Sequence, residues 1–529
     1  MPMPAANTAW PPKQYSAALK AVRHDDAIMS GDVAYIRASW EGRNRNAAAY
    51  THRSQYNGGI VGKASRAVLG RPQASKRGEL KISRHIGLAD DLITSIVSFM
   101  AEKPPRFTLH DDDSHNERAQ HFLTQLGGSD SFASDWWNAV YKTSGLGWNF
   151  GRVVWNTDVH PHPWIEWVDA DQAVCEFQWG RQQAIIFWES FEHPENNHLY
   201  RLLERHTAGS IEYALYEGSN ENIGMRVPFT EHPATEYLAN LDSLTDGNTI
   251  ETGIDLSTAH MMVNHKARWE WRNHPQLRYY SASDVSLGGG LWADVDRIYS
   301  QLIEEIDSAR GRLYVPERLL ELSRPGEGMW FDNARDVFPV GDTGNVDESQ
   351  KIEQVQFQMR IQQYADALHL AKTEAVDALG LSPMTVGMEK NASGQMTATE
   401  TKTRQRRTLT TAGSKQRHQR DHLSHIMTAA VNMDAMIHGY PPLTQLVQVA
   451  MPDPIVETEQ EEAEVVATQV REGIGSTEWA VRRLRKEWTE DQIQAELERL
   501  REERQAGSPI DPLGSFSFDS SELSDDSGE

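Results

Sequence analysis

Between Trp292 and His438 the chain carries three long runs with apolar residues at helical spacing, separated by two stretches that cannot be helical. In the first run Val295, Ile298, Leu302, Ile306 and Ala309 form one stripe, and Gly311 ends it. Pro316, Pro325, Gly326, Gly328, Pro339 and Gly341 then break any helix across 313–350, where LYV, MWF and VFPV read as extended segments. A second helix is expected from about Gln350 to Leu379, with Ile352, Val355, Met359, Ile361, Ala365, Leu368, Val376 and Leu379 facing inward. Gly380 suits the C′ position of that helix, and Pro383 prevents its continuation. After the polar loop MTVGMEKNASGQM, Thr397 and Glu400 have the spacing of a capping box, opening a third helix to about His438. Thr408, Thr410, Thr411 and Gly413 predict a kink in its middle. The order is thus helix, insertion, helix, loop, helix, and the loop held between the last two has no catalytic make-up.

Upstream, residues 80–103 predict an amphipathic helix through Ile82, Ile86, Leu92, Ile96 and Phe99, ended by Pro104-Pro105. Residues 117–145 read as two helices broken at Gly127-Gly128, with a turn at Gly145. From Arg152 to Glu217 short runs rich in β-branched and aromatic residues alternate with turn residues, the pattern of antiparallel hairpins. Trp136, Trp137, Trp148, Trp155, Trp164, Trp167, Trp179 and Trp188 crowd this region, and core or subunit-interface burial accounts for them better than a sugar-stacking face. Residues 219–260 read as polar loop, and LTQLVQVAM (443–451) is a strand candidate. Residues 457–504 read as Glu- and Arg-dense helices broken at Gly473–Ser476. The N-terminal MPMPAANTAWPPK reads as a loose arm, and the end as an acidic, Ser-rich disordered tail. The class is α+β, in several domains at 529 residues.

The formal net charge is −24, which argues against tight wrapping on nucleic acid, since phosphate affinity comes from Lys and Arg that displace counterions. Residues 453–529 supply 21 Asp or Glu against 8 Lys or Arg, whereas 400–421 reverses the sign with seven Lys or Arg against Glu400 and Asp421. That reversal marks a functional or inter-subunit face. No run approaches the ~18–20 apolar residues of a membrane span. Cys175 stands alone, so disulfides and Cys-paired zinc sites are excluded within the chain. NGGIVGKAS (57–65) fails as a phosphate loop, because Asn57 and Ala64 stand where the first Gly and the Mg²⁺-binding Ser or Thr belong. HDDDSH (110–115) reads as an exposed charged turn rather than a metal site, the alternating His160 and His162 as a turn, and Met384, Met388 and Met396 as core filler. No nucleophile elbow, zinc helix or Cys/His pairing is present, so neither enzyme activity nor a cofactor or metal is expected.

The acidic helix leading into SARGRLYVPERLL, the insertion ending VDESQKIEQVQFQMRIQQYADAL, and ALGLSPMTVGMEKNASGQMTATETKTRQRRTLTTAGSKQ together resemble the portal proteins of tailed bacteriophages, specifically long-tailed phages of Gram-positive hosts. The Gly-Leu-Ser-Pro turn, Ser393-Gly394 and Thr-Ala-Thr-Glu at 397–400 are the most specific pieces, and agreement extends over most of residues 80–500.

The resemblance implies a portal fold of wing, stem, clip and crown, assembling as a homo-oligomeric ring, usually of twelve subunits, at one capsid vertex. Double-stranded DNA would pass through it non-specifically, driven in by terminase and released through the tail. A head-completion or adaptor protein and the major capsid and scaffolding proteins would be further partners, assembly would occur in the host cytoplasm, and no membrane is involved. Carried onto this chain, 1–79 is arm or outer wing, 80–290 wing, 291–312 and 351–380 the stem helices, and 313–350 the clip. Residues 381–396 are the tunnel loop, 397–455 a kinked wing helix and strand, 456–505 crown helices and 506–529 the tail. Implied lumen residues of the stem are Asp296, Glu304, Glu305 and Asp307; implied terminase or adaptor contacts are Glu317, Arg318, Trp330, Phe331 and Arg335. Met384, Met388, Glu389, Lys390, Asn391, Ser393 and Gln395 belong to the loop. Arg404, Arg406, Arg407, Lys415 and Arg417 are assigned to the subunit interface in preference to DNA. Five Asp or Glu against Arg297 and Arg310 between Trp292 and Gly311 fit a channel that repels phosphate and lets DNA slide. The competing readings are another adaptor or minor capsid protein and, from a different class, a packaging ATPase or nuclease.

Overall fold

The computed structural model describes residues 2–39, 83–192, 198–241, 244–245, 248–309, 312–316, 337–340, 353–355, 359–388, 403–452, 459–485 and 490–506. The chain divides into two compact units, one of residues 1–394 and 402–454, the other of 395–401 and 455–529.

In the first unit, α1 (Ser16–Met29) is followed by α2 (Leu88–Ala101), whose Leu92, Ile93, Ile96, Val97 and Met100 are buried. The strand β1 (Arg106–Thr108) leads to α3 (Glu117–Gly127) and α4 (Asp130–Leu146), started by side-chain caps from Asn116 and Ser129. The break at Gly127-Gly128 is where the sequence places it, but α4 runs through Gly145 and ends at Gly147. The strands β2 (Trp148–Val154), β3 (Trp164–Val168), β4 (Ala173–Gln178), β5 (Arg181–Glu192), β6 (Leu199–Thr207), β7 (Ser210–Gly218), β8 (Met225–Val227), β9 (Thr249–Glu251) and β10 (Ala259–Val263) build two antiparallel sheets. Strands 4 to 8 pair in sequence order, with β9 added to β7, and β2 lies between β3 and β10. These are the hairpins expected from Arg152 to Glu217.

The short α5 (Asp284–Gly288) precedes α6 (Leu291–Ser308), then β11 (Arg312–Pro316), β12 (Val337–Val340), β13 (Glu353–Val355), α7 (Ile361–Ala378) and α8 (Arg406–His438). A last strand, β14 (Gln448–Ala450), falls inside the LTQLVQVAM segment and pairs with β1. One hydrophobic core joins α2, α3, α4 and α8 to the inner ends of α6 and α7. Another lies against the larger sheet and contains Trp148, Phe150, Phe187, Leu203 and Tyr280.

The N-terminal segment is not a loose arm. Trp10 meets Trp188 edge-on at 5.4 Å, Tyr15 is fully buried with its hydroxyl donating to the Cys175 carbonyl at 3.2 Å, and Asn7 N–H donates to Gly224 O at 2.7 Å. Two aromatics, each worth roughly 150–250 Å² of burial, outweigh the Pro-rich composition that suggested freedom. Trp136 and Trp148 are core residues, as the burial reading requires, while Trp179 stands 90% exposed at a hairpin tip.

In the second unit α9 (Glu459–Arg471), α10 (Thr477–Leu484) and α11 (Glu490–Ala506) pack in succession, and Val466, Ile493 and Leu497 are buried. Ser476 caps α10 by accepting from Trp479 N–H at 3.0 Å, which places the break where the sequence predicts it.

Candidate functional site

The region singled out by sequence is built on an antiparallel helix pair. Arg360, just before α7, closes on Glu305 near the end of α6: its N–H and Nε reach Oε1 at 2.9 and 3.1 Å, and Nη2 reaches Oε2 at 2.7 Å. These hydrogen bonds hold the Glu305 carboxyl down at about 2. At the other end α7 packs against α5, which precedes α6. Burial falls steadily along the pair. Trp292, Ala293 and Val295 on α6 and Ala375, Val376 and Leu379 at the end of α7 lie in the core; Ile298, Leu302 and Leu368 are half-buried; Ala365 is exposed, and Ile306 and Ile361 are 42% and 45% exposed. The stripe expected to be core is therefore core only at one end.

Among the acidic residues assigned to a lumen, Asp296 needs correction. It is 2% exposed; its Oδ2 pairs with His85 Nδ1 at 2.8 Å and its Oδ1 accepts from Ile86 N–H at 3.0 Å. The segment at 83–86 docks on α6 and covers this carboxylate, which amphipathic spacing alone does not reveal. Glu305 is engaged by Arg360, while Glu304 and Asp307 are exposed. The acidic character that α6 offers to solvent is thus smaller than its sequence suggests.

Across the insertion, β11 pairs parallel with β12 and antiparallel with β13, joining Arg312–Tyr314 to Val355–Glu353. The second helix accordingly starts at Ile361 rather than near Gln350: a non-local ladder takes Glu353–Val355 out of the helical run. Glu317, Arg318, Trp330, Phe331 and Arg335 lie outside the described residues.

At Gly380, with φ +71°, α7 ends in a paired motif: Gly380 N–H donates to Asp377 O at 3.1 Å and Leu381 N–H to Val376 O at 3.0 Å. A Cβ here would sit 2.7 Å from Thr411 Oγ1, which itself donates to Gly380 O at 2.8 Å. Thr408 Oγ1 accepts from Ser382 N–H and meets Thr385 Oγ1, each at 2.8 Å. The threonines read from sequence as weak points thus clamp the turn to α8, which forms a single helix from Arg406 to His438. Val386 and Met388 pack against the core and Met384 is half-buried, so the start of the expected tunnel loop is fixed. Glu389, Lys390, Asn391, Ser393 and Gln395 lie outside the described residues, as does the expected capping box.

The basic stretch divides in two. Arg404, Arg406 and Arg417 are exposed, whereas Arg407 pairs with the Asp377 side chain and carbonyl of its own protomer. Lys415 is a clear correction. It is 1% exposed, and its Nζ donates to Asp284 Oδ2 at 2.5 Å, Asn264 Oδ1 at 2.5 Å and Ser144 Oγ at 3.0 Å. Burial lowers its pKa from the ordinary value and the Asp284 carboxylate opposes that shift. This buried ion pair ties α8 to α4, α5 and the end of β10; it is internal to the protomer, not a subunit contact.

Other functional groupings are invisible to periodicity. The HDDDSH turn exposes Asp111, Asp112, Ser114 and His115 as expected, but Asp113 is buried and accepts from Thr444 N–H, Thr444 Oγ1 and Gln445 N–H at 3.0–3.2 Å, a structural clasp. His162 Nδ1 lies 2.7 Å and His438 Nδ1 3.0 Å from Asp434 Oδ1. Asp25 is buried, accepts from Ser283 Oγ at 2.6 Å and is pushed up to about 7 by burial.

Packing, caps and buried ion pairs organise this region, the construction of a structural protein with apolar surface left on its helix pair. A family model described as "Phage portal protein, SPP1 Gp6-like" matches residues 84–509, and the chain belongs to that family. It is a phage portal protein, a subunit of the ring that forms the channel at a capsid vertex. No curated protein matches it. Solved structures similar to it include the neck of an empty GTA particle computed with C6 symmetry, at 13% identity and TM-score 0.36, covering 73% of this chain and 85% of that one. The neck of a native GTA particle computed with C12 symmetry is similar at 13% identity and TM-score 0.38, covering 75% of this chain and 90% of that one. Among the described residues no helix is long and apolar enough to cross a membrane.

Proposed function

We propose that twelve copies of this chain form the ring, with α6 and α7 as its stem, the three-stranded insertion between them as the clip, and residues 381–396 as a loop at the channel. Double-stranded DNA passes through without sequence readout, inward under terminase and outward through the tail. The clip, including Glu317, Arg318, Trp330, Phe331 and Arg335, receives terminase during packaging and a head-completion protein afterwards. Scaffolding and major capsid proteins hold the ring at its vertex during assembly in the host cytoplasm, and the virion is that of a long-tailed phage of a Gram-positive host.

One observation carries this reading: the helical stripe through Ile306, Ile361 and Ala365 is exposed in a single protomer although its spacing is that of a buried face. Neighbouring stems in a ring supply the missing cover, and they also bring together the exposed carboxylates Glu304 and Asp307 that keep phosphate from adhering. Arg404, Arg406 and Arg417, all exposed, take part in contacts between subunits. Negative-stain imaging of the purified chain tests it. Rings with a central hole are expected, and monomers that hydrolyse ATP would refute it.

A further inference from the structure

The β2–β3 connection carries His160-Pro161-His162-Pro163, and the structure sets it against the last turn of α8, where Asp434 and His438 stand one helical turn apart. Asp434 is buried and each imidazole is about a third exposed. Both Nδ1 atoms converge on one carboxylate oxygen, Asp434 Oδ1, at 2.7 and 3.0 Å, and the two rings lie 4.7 Å apart between centroids. The other oxygen, Oδ2, accepts from Tyr440 Oη at 2.7 Å.

We propose that His162, Asp434 and His438 form a binding site for a divalent transition-metal ion of the zinc class. Two imidazole nitrogens and one carboxylate oxygen are the donor set that such ions take, and one that Mg²⁺ and Ca²⁺, which prefer all-oxygen shells, do not. The three ligand atoms lie within 4.8 Å of one another. Bonds of about 2.0–2.2 Å to each require the two nitrogens to move apart from the carboxylate by well under the width of an atom. Without the ion each Nδ1–H donates to Asp434 Oδ1, and His438 Nδ1 also lies 3.1 Å from the Asp434 carbonyl; binding shifts the proton of each neutral ring to Nε2 and frees the Nδ1 lone pair, with no net change in ring charge. Tyr440 orients the carboxylate from behind, as outer partners of metal ligands do. The exposed side of the two rings leaves a coordination position to water or to His160, whose ring centroid is 6.0 Å from that of His162. Bound there, the ion fastens a hairpin loop to the end of a helix more than 270 residues away in sequence.

The test is titration calorimetry of the full-length, chelator-stripped protein with ZnCl₂, with MgCl₂ as the control. His162→Gln and His438→Gln are the variants, their folding checked by circular dichroism and melting temperature. One zinc per protomer is expected, Mg²⁺ should give no signal, and each variant should weaken zinc binding by about 100-fold or more. Wild-type protein that binds no zinc, or folded variants with the wild-type isotherm, would overturn the proposal. In the second case the zinc is held by other histidines, and the three residues form only hydrogen-bonded pairs.

Discussion

Replacing Lys415 by Met keeps the apolar stem of the side chain and removes only the ammonium. What remains is the Asp284 carboxylate, 3% exposed, with a single donor, Asn264 Nδ2 at 2.9 Å, and beside it an Asn264 Oδ1 and a Ser144 Oγ that have lost their partner. Breaking one side of a buried ion pair costs about 3–5 kcal/mol, because the surviving charge stays desolvated. The double variant Lys415→Met with Asp284→Asn removes that charge, and most of the loss should return. His265, held at about 4 by burial first and by Lys415 second, should rise in the single variant. Urea unfolding at fixed protein concentration is the assay, since ring formation adds a mass-action term. Exposed Lys20→Ala on α1, away from that cluster, serves as control and should stay within about 0.5 kcal/mol. If Lys415→Met shifts stability by less than about 1 kcal/mol while abolishing rings, the buried-pair argument fails and Lys415 acts between subunits after all.

Asp25 should make the protomer less stable as pH rises. Its folded pKa of about 7 exceeds the ordinary 3.8, so the native state keeps a proton that the unfolded state has lost, and stability falls across that window before levelling above it. Asp25→Asn should flatten the slope and gain up to about 4 kcal/mol at pH 8 in urea melts; an unchanged pH profile would disprove it. At Gly224, φ is +78° and an added Cβ would lie 1.8 Å from the Glu217 carbonyl, so Gly224→Ala should cost more than the roughly 1–2 kcal/mol of left-handed strain. The same change should speed amide exchange at Asn7, which donates to Gly224 O, and unaltered exchange would show that the arm is held elsewhere. Lys390→Ala, which removes the one basic residue of the loop after Gly380, should lower packaged and retained DNA severalfold if that ammonium makes transient phosphate contacts; equal yields would exclude that role.

What the sequence discloses is what is decided locally. The Gly380 terminus follows from a helix that must satisfy its last carbonyls, and Pro383 follows within three residues. The break at Gly127-Gly128 and the hairpins from Arg152 onward are likewise set by neighbours in the chain. Sidedness of charge is a different matter. On α8, Lys415, Gln419 and His422 are buried at helical spacing, yet hydropathy reads that stripe as a solvent face, because their partners Asn264, Ser144, Asp284 and His260 sit on distant elements. Asp296 was hidden in the same way by His85, and His162 was separated from Asp434 by 272 positions.

The converse error is more informative. Ile306, Ile361 and Ala365 have the spacing of a core and are not core in one protomer, whereas Val295, Val376 and Leu379 at the opposite end of the same pair are fully covered. A stripe that was merely tolerant of solvent would have no reason to continue in register past the point where its own chain stops covering it. Periodicity records every surface that the folded assembly buries, and the protomer accounts for only part of it. On the reading proposed above, the difference between the two is the surface that neighbouring stems close, on the half of α6 and α7 nearest the insertion.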